Sequence, residues 1–471
     1  MIWRPGLLGV LCGLAALSGA SCVRHTAAPV TEPPEYDYAI APPAAGSWVL
    51  RVEATYERAP SARLVAPEAG EALRVDTGGA DGITREGEAW VAPACRTRCS
   101  LSYSVDLGAL AAACHGHDCL RRVDDAILGT ASAWLLRPDA AGDATMRVRT
   151  SGADAGRFAT GLRPGPGGGF VFHASELGES SYTAFGSFRR RHVDLPGARL
   201  DVILLGAPLA MGDAAEVAWI RGAGACVAGL FGRFPVDATL FAVPVTGAEG
   251  VVFGRVMSLA GASVVLLFGD RTGAEAAHDD WVVVHELFHL GCPSFVGEGH
   301  WLEEGLATYY EPILRERAGW MTEQELWAHF AREMPRGLRR GGEPASLEER
   351  EDIDSTYWGG ALFALLADVA IRESSHGARS LDDAMRAALA VEGDATHAAR
   401  VADFLRTGSA AAGDRELDAV YEAWAVRGES VDLDGLWHRL GLEVLTGGAV
   451  RLRDDAPLSA VRRAIAAGER H

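Results

Sequence analysis

Two amino acids are missing from this chain of 471 residues, which contains no lysine and no asparagine. Without lysine, no side-chain amine is available to form a Schiff base with a carbonyl substrate or to bind a phosphate. Without asparagine, the chain has no acceptor for N-linked glycosylation. Both missing residues use A-rich codons, so a GC-rich coding sequence accounts for the two absences together.

Positive charge is also scarce. The 44 arginines stand against 63 aspartates and glutamates, which gives a formal net charge of −19. A protein of this sign repels phosphate backbones, so nucleic acid is not an expected partner. Hydrophobic residues make up 48% of the chain. This composition excludes a disordered or collagen-like protein and predicts a globular one with two or three domains.

Long apolar runs are rare, and the run at the amino terminus has the order of an export signal. Arg4 precedes an apolar stretch from Gly6 to Leu17, and small residues then lead to Cys22. This ending resembles the lipobox of bacterial lipoproteins, which implies acylation of Cys22 and a lipid-anchored protein of the cell envelope. Gly19 departs from the pattern, because lipoboxes usually carry leucine there. Secretion without acylation and an uncleaved anchor are the alternatives.

The pattern of the chain changes several times along its length. We predict an α+β protein with an export signal over 1–22, a Pro-rich tether over 23–46, a β-rich, sandwich-like domain over 47–198, a mixed domain over 199–395 and a helical region over 396–471. Short alternating segments indicate the β-rich domain, in which one helix is expected from Arg121 to Leu135. Strands and a helix alternate from Leu200 to Phe268, and helical patterns follow His278. The domain over 199–395 therefore has a mixed α/β layer and a helical layer.

Six cysteines follow the signal, at Cys95, Cys99, Cys114, Cys119, Cys226 and Cys292. The first four lie close together, but their spacing is not that of a zinc ribbon. Because an exported protein resides in an oxidising compartment, disulfides are favoured over a second metal site, with the pairing left open. The last two can form a bridge or remain buried thiols.

The strongest functional signal is the motif His285-Glu286-Leu287-Phe288-His289. On a helix, two imidazoles four residues apart project from one face and can bind one metal ion, while the glutamate between them can hold the metal's water. Fourteen residues separate His289 from Glu304, and a loop rich in glycine and proline allows the chain to turn back. Two histidines and one glutamate with an open fourth position form the catalytic type of zinc site.

Glu311 is a further candidate, two helical turns beyond Glu304 on the same face. In that position its carboxylate can hydrogen-bond a histidine that binds the metal and so orient the ring. A plain salt bridge is the alternative role.

These motifs resemble a known group of enzymes. The helix motif and the segment Trp301-Leu302-Glu303-Glu304-Gly305-Leu306-Ala307-Thr308-Tyr309 are similar to those of the gluzincin metallopeptidases, meaning the aminopeptidase N family and, more closely, the glycyl aminopeptidase family, which often carries a PDZ domain. Further matches are Phe231–Pro235, Tyr357–Leu362, Asp368, Arg372 and Ser380–Asp383. The resemblance covers about residues 200–389 and implies a thermolysin-like catalytic domain over 199–395, and no PDZ-like segment is visible.

The resemblance also implies roles for individual residues. His285, His289 and Glu304 match the zinc ligands, Glu286 matches the general base, and Tyr357 matches the tyrosine that hydrogen-bonds the developing oxyanion. The lysine that follows this tyrosine in the family is replaced by Gly359. A packing role at the start of a helix is the alternative for Tyr357.

One part of the family pattern is absent. Aminopeptidases of this clan bind the amino group of the substrate with a glutamate on an edge strand, whereas residues 254–267 contain no glutamate. We therefore expect a zinc metallopeptidase that is either an endopeptidase or an aminopeptidase with another amine anchor, acting on a peptide or protein. The alternative class is a catalytically inactive, peptidase-like module for peptide binding or envelope interaction. The sequence carries no signal for the oligomeric state.

Overall fold

The structure is a computed structural model that describes residues 35–57, 62–66, 68–76, 83–92, 97–114, 120–139, 142, 144–152, 155–413, 415–445 and 448–468. The predicted export signal, the acylation site Cys22 and the first part of the tether lie outside the described residues. Cys95 and Cys119 also lie outside them.

The amino-terminal part is built of β-strands. They are β1 Glu35–Ala41, β2 Val49–Glu57, β3 Ala62–Val65, β4 Leu73–Asp76, β5 Thr84–Glu86, β6 Ala89–Ala92, β7 Arg98–Asp106, β8 Arg121–Val123, β9 Ala126–Thr130, β10 Arg137–Pro138, β11 Thr145–Thr150, β12 Phe158–Thr160, β13 Phe170–His173 and β14 Tyr182–Gly186, with helix α1 Leu107–Ala113 after β7. They form a six-stranded sheet, β13-β11-β1-β2-β7-β4, and two four-stranded sheets, β10-β3-β6-β5 and β12-β14-β9-β8. Buried and exposed residues alternate along β2, as they do in a sheet with one face in the core.

Strand β1 corrects the predicted extent of the tether. Proline pairs on either side led to the assignment of residues 35–41 to an extended linker. In the structure, Tyr36, Tyr38 and Ile40 are all buried, and β1 pairs with both β2 and β11. The alternation of apolar and polar residues between the prolines is the signal that identifies this strand.

The helix predicted from Arg121 to Leu135 is wrong, because this segment forms the hairpin of β8 and β9. Asp124 at the turn has a φ of 50°, in the left-handed region that interrupts a helix. The first four residues of β9 are all buried, and in the sequence they form a continuous run without polar residues. Such a run does not separate a buried strand from a buried helix by its periodicity.

A five-stranded sheet follows in the part of the chain that was predicted to have a mixed α/β layer. Its strands and the helix between them are β15 Arg189–Leu195, β16 Ala198–Leu204, α2 Asp213–Phe231, β17 Ala238–Val245, β18 Val251–Met257 and β19 Ser263–Gly269. The order is β15-β16-β17-β19-β18; β16, β17 and β19 run parallel, and the two edge strands run antiparallel to them. All seven residues of β19 are buried. Helix α2 has the length and hydropathy of a membrane span, but most of it is buried in the core of the protein.

Helices dominate the rest of the chain, as predicted. They are α3 Ala274–Asp279, α4 Val282–His289, α5 His300–Arg317, α6 Glu323–Glu333, α7 Gly360–Ser374, α8 Leu381–Val391, α9 Val401–Ala412, α10 Glu416–Val420, α11 Leu433–Leu440 and α12 Ser459–Ala467, with short strands β20 Ser294–Phe295, β21 Ala398–Ala399, β22 Leu442–Val444 and β23 Val450–Leu452. A π-helical turn, Asp354–Gly359, leads into α7. The fold is thus α+β, with a sheet-rich amino-terminal region and a helical carboxyl-terminal part.

The cysteine predictions are confirmed where the structure describes them. Cys99 and Cys114 are both disulfide-bonded. Cys226 and Cys292 are free and buried, and burial raises the pKa of the Cys226 thiol to about 12. Buried thiols of this kind are unreactive packing residues.

Candidate metal centre

Helix α4 carries the H-E-x-x-H motif directly beneath edge strand β18. The Asp280 carboxylate accepts hydrogen bonds from the backbone N–H of Val282, at 2.8 Å, and of Val251, also at 2.8 Å. One side chain therefore fixes the start of the helix against the start of the strand. Val283 and Val284 of the same helix are fully buried in the core.

Three side chains of α4 and α5 converge on one point. Nε2 of His285 lies 3.0 Å from Oε2 of Glu304, and Nε2 of His289 lies 3.7 Å from the same oxygen. Among the described residues, this is the one group of three or more His, Cys, Asp and Glu whose donor atoms all lie within 4.8 Å of one another. A tetrahedral zinc ion with bonds of about 2.1 Å needs donor atoms about 3.4 Å apart. The chemistry and the spacing of these donors fit such an ion.

The charges of the group also suit a cation. Burial favours the neutral form of Glu304, but His289 and the hydrogen bond from His285 hold its pKa well below the ordinary value. Burial lowers the pKa of His285 and is only partly offset by Glu304. Burial also favours the neutral form of His289, but Glu304 together with the charges of Glu286 and Glu303 raises its pKa to about 9. Glu304 is therefore ionised at neutral pH, which is the form that binds a metal.

Glu286 lies between strand β18 and the metal-binding group. Its side chain is buried, and burial raises its pKa to about 7, with Glu304 adding to the rise and His289 opposing it. A carboxylate with a pKa near neutrality is suited to accept and return a proton. Gly254 of β18 passes directly over it, so that a Cβ at this position would lie 2.5 Å from Cγ of Glu286. Only glycine allows the strand to come this close.

Tyr357 lies on the π-helical turn and faces the same group. Its ring stacks on the ring of His285 with centroids 5.9 Å apart and an interplanar angle of 12°. Burial raises the pKa of Tyr357, and the Glu304 charge raises it further, so the phenol stays protonated and can donate a hydrogen bond. The His285 ring also makes a T-shaped contact with Trp281, with ring centroids 5.1 Å apart.

Glu311 does not have the expected contact. Its carboxylate accepts a hydrogen bond from Nη1 of Arg315 at 3.0 Å, and this buried ion pair occupies it instead of a histidine. Nδ1 of His285 is buried without a hydrogen-bond partner among the described residues. The arginine four residues after Glu311 is the sequence signal for this pair, because residues at this spacing share a helix face.

A cleft of about 450 Å³ opens in front of these groups, lined by Gly254, Glu286, His289, Glu304 and Tyr357. Three further carboxylates line it that the motifs did not single out, Glu298, Glu303 and Glu348. Each accepts a hydrogen bond from a backbone N–H, of Val401, Phe295 and Gly299 respectively. Glu303 directly precedes Glu304 on α5, whereas the path of the loops brings Glu298 and Glu348 here and no local sequence pattern signals those two.

Comparison with known proteins identifies the fold. No family model and no curated protein matches the sequence. Among solved structures, an aminopeptidase N family protein from Idiomarina loihiensis matches with a TM-score of 0.65 at 16% identity, over 87% of this chain and 79% of that one. An M1 zinc metallopeptidase from Deinococcus radiodurans matches with a TM-score of 0.53 at 16% identity, over 84% of this chain and 94% of that one. A mutant from the same organism, bound to a Tyr-Ser-Ala substrate, matches with a TM-score of 0.50 at 15% identity, over 84% and 94%. The chain therefore has the fold of the M1 zinc metallopeptidases.

Proposed function

We propose that the protein is a zinc-dependent metallopeptidase that hydrolyses peptide bonds. The observation that carries the proposal is the convergence of His285, His289 and Glu304 within 4.8 Å, in a cleft that Glu286 and Tyr357 also line. The fold supports it, because solved proteins of this fold are described as zinc metallopeptidases and one holds a Tyr-Ser-Ala substrate. We further propose that the protein is related most closely to the glycyl aminopeptidase family, because its motif segments are similar to those of that family.

The residues of the cleft have distinct tasks in this reaction. Zinc, when bound by the two histidines and Glu304, supplies Lewis acidity and lowers the pKa of a coordinated water to about 7. Glu286 accepts the proton of the attacking water and returns it to the leaving amine. The hydroxyl of Tyr357 donates a hydrogen bond to the carbonyl oxygen as negative charge develops on it. Burial keeps the phenol protonated for this task.

The position of cleavage within a peptide depends on the edge strand. Strand β18 is an edge strand, and its backbone can pair with an extended peptide. Met257 and Ser258 at its carboxyl end offer no carboxylate for an amino terminus. We therefore propose an endopeptidase, or an aminopeptidase whose amine anchor lies elsewhere in the cleft, for which Glu298 and Glu303 have the required charge.

The proposed location is the cell envelope, through a lipid on Cys22, and secretion is the alternative. This proposal rests on the sequence of the amino terminus alone. Its test is the partition of the full-length protein into a detergent phase, compared with Cys22→Ala. If both proteins partitioned equally into the aqueous phase, the proposed lipid anchor on Cys22 would be excluded.

The experiment that tests the proposed activity compares the purified protein with Glu286→Gln. We expect about one zinc per chain in both, and a loss of hydrolysis of about 10²-fold or more in the variant, because only the base is removed. A peptide mixture analysed by mass spectrometry reports the cleavage. If the parent protein binds zinc and peptide but cleaves nothing, the inactive peptide-binding module becomes the better description.

A further inference from the structure

A second cavity, of about 420 Å³, adjoins the metal cleft. The two share His300, Glu348 and Tyr357 as wall residues, so a molecule bound at the metal can extend into it. Apolar side chains of Trp301, Leu347 and Ile353 form part of its wall. None of the motifs described above assigns a role to this cavity.

The distinguishing residue of the cavity is Arg350, whose side chain is only 5% exposed. Its Nε donates to the carbonyl of Pro344 at 3.0 Å, and its Nη2 donates to the carbonyl of Ala345 at 2.7 Å. Its Nη1 is buried and has no hydrogen-bond partner among the described residues. Within that part of the chain, Arg350 forms no ion pair. A buried cation that lacks a counter-ion is costly, and an anionic ligand removes the cost.

The charges around Arg350 are mixed, because the carboxylates of Glu348 and Glu351 also line the cavity. Burial lowers its pKa, Glu343 and Asp352 raise it, and Arg339 lowers it, but neither of these two acids contacts the guanidinium in an ion pair. Glu348 on the shared wall already accepts hydrogen bonds from Gly299 N, at 3.0 Å, and from Trp301 Nε1, at 2.8 Å.

We propose that this cavity is a subsite for a carboxylate of the peptide substrate, with Arg350 as the residue that recognises it. The inference rests on the proposed peptidase function and adds a preference to it. The carboxylate comes either from the carboxyl terminus of the peptide or from an Asp or Glu side chain. Ile353, which is 71% exposed, stands at the edge of the cavity and can pack on the aliphatic part of the bound residue.

A purely structural role for Arg350 is the competing explanation. Its two hydrogen bonds to the carbonyls of Pro344 and Ala345 fix that loop and satisfy Nε and Nη2. A structural role does not explain why Nη1 is buried without a partner among the described residues. A structural residue affects all peptides alike, whereas a carboxylate-binding residue affects only those that carry the charge. The test therefore compares matched peptides and not a single activity.

The experiment measures peptide binding to the zinc-loaded full chain carrying Glu286→Gln, which prevents turnover. One pair of peptides differs only in a free or amidated carboxyl terminus, and a second pair, blocked at both ends, differs only in Glu or Gln. We expect about tenfold tighter binding of the charged member of one pair, which corresponds to about 1.4 kcal/mol, because only that member gains a charge-assisted hydrogen bond. Arg350→Met should reduce this ratio to about one. The affected pair identifies the source of the carboxylate.

A second variant protects the test against misfolding of Arg350→Met. Ile353→Glu puts a negative charge at the exposed edge of the cavity and should weaken binding of the charged peptides, while Ile353→Gln should not. Equal binding within both pairs, or ratios that neither Arg350→Met nor Ile353→Glu changes, would overturn the subsite. Hydrolysis by the parent protein with such equal binding would leave the proposed function standing. Charge-dependent binding without hydrolysis by the parent protein would support the subsite and contradict the proposed peptidase function.

Discussion

Gly254 on β18 and Glu286 on α4 are packed so closely that no side chain fits between them. A Cβ built on Gly254 would lie 2.5 Å from Cγ and 2.6 Å from Oε1 of Glu286. Both distances are far inside van der Waals contact. The edge strand and the proposed base are therefore positioned against each other, and a change in one moves the other.

Gly254→Ala should lower the rate of hydrolysis while the protein keeps its zinc. The added methyl group displaces the Glu286 carboxylate, and a displacement of about 1 Å at a catalytic group costs about 10²-fold in rate. Steady-state kinetics and the zinc content measure the two effects. Gly229→Ala is the matched control, because a Cβ there has no atom within 4 Å. A Gly254→Ala protein with the parent rate would mean that Glu286 is not held by the strand.

Two adjacent glutamates on α5 should respond differently to loss of charge. Glu304→Gln removes the negative charge of the carboxylate that lies near both histidines and should lose most of the bound zinc after dialysis. Glu303→Gln should keep about one zinc per chain, because its carboxylate accepts a hydrogen bond from Phe295 N at 2.7 Å and an amide oxygen can do the same. Measuring the zinc content of both variants after dialysis tests this difference. Equal zinc in the two would refute Glu304 as a ligand.

Tyr357→Phe should reduce kcat by about 10²–10³-fold, the usual effect of removing one oxyanion donor. The change deletes only the hydroxyl, so the stacking on His285 and the zinc content should remain. Tyr421→Phe, in a ring that stacks on Trp301, controls for the loss of a phenol. An unchanged kcat would leave Tyr357 with the packing role that the sequence also allowed.

The metal-binding group could be predicted from the sequence because its geometry is local. His285 and His289 are four residues apart on one helix, and Glu304 follows on the next helix after a short loop. Gly299, with a φ of 74°, turns the chain into that helix. Helical spacing and a turn were therefore sufficient to expect three side chains at one point.

The parts that failed have different causes. The contact of Glu311 is local, because Arg315 lies four residues later on the same helix, so a salt bridge was the alternative that the sequence already offered. The segment of the β8–β9 hairpin fits a buried helix as well as a buried strand, because its apolar residues follow one another without alternation. Arg350, Glu298 and Glu348 lie near the metal group only through the connections between α4 and α7, whose path no periodic pattern encodes.

Glu216 on helix α2 provides a prediction about stability that does not depend on the metal. Its side chain is 2% exposed, and burial, followed by the Asp213 charge, raises its pKa from 4.5 to about 7 against the opposing effect of Arg189. Between these two pH values the folded protein holds a proton that the unfolded chain has released. By linkage, the contribution of this group to stability falls as the pH rises from about 4.5 to about 7 and stays low above that range.

Glu216→Gln cannot ionise and so should not show this loss. We expect its Tm to match the parent at pH 4.5 and to exceed it at pH 8, because only there does the parent bury a charge at this position. Thermal unfolding of zinc-saturated protein at the two pH values measures the difference. Glu275→Gln, an exposed position on α3, is the control and should give the same difference at both pH values. A Tm difference for Glu216→Gln that is equal at pH 4.5 and pH 8 would show that the cost at this site comes from packing and not from a buried charge.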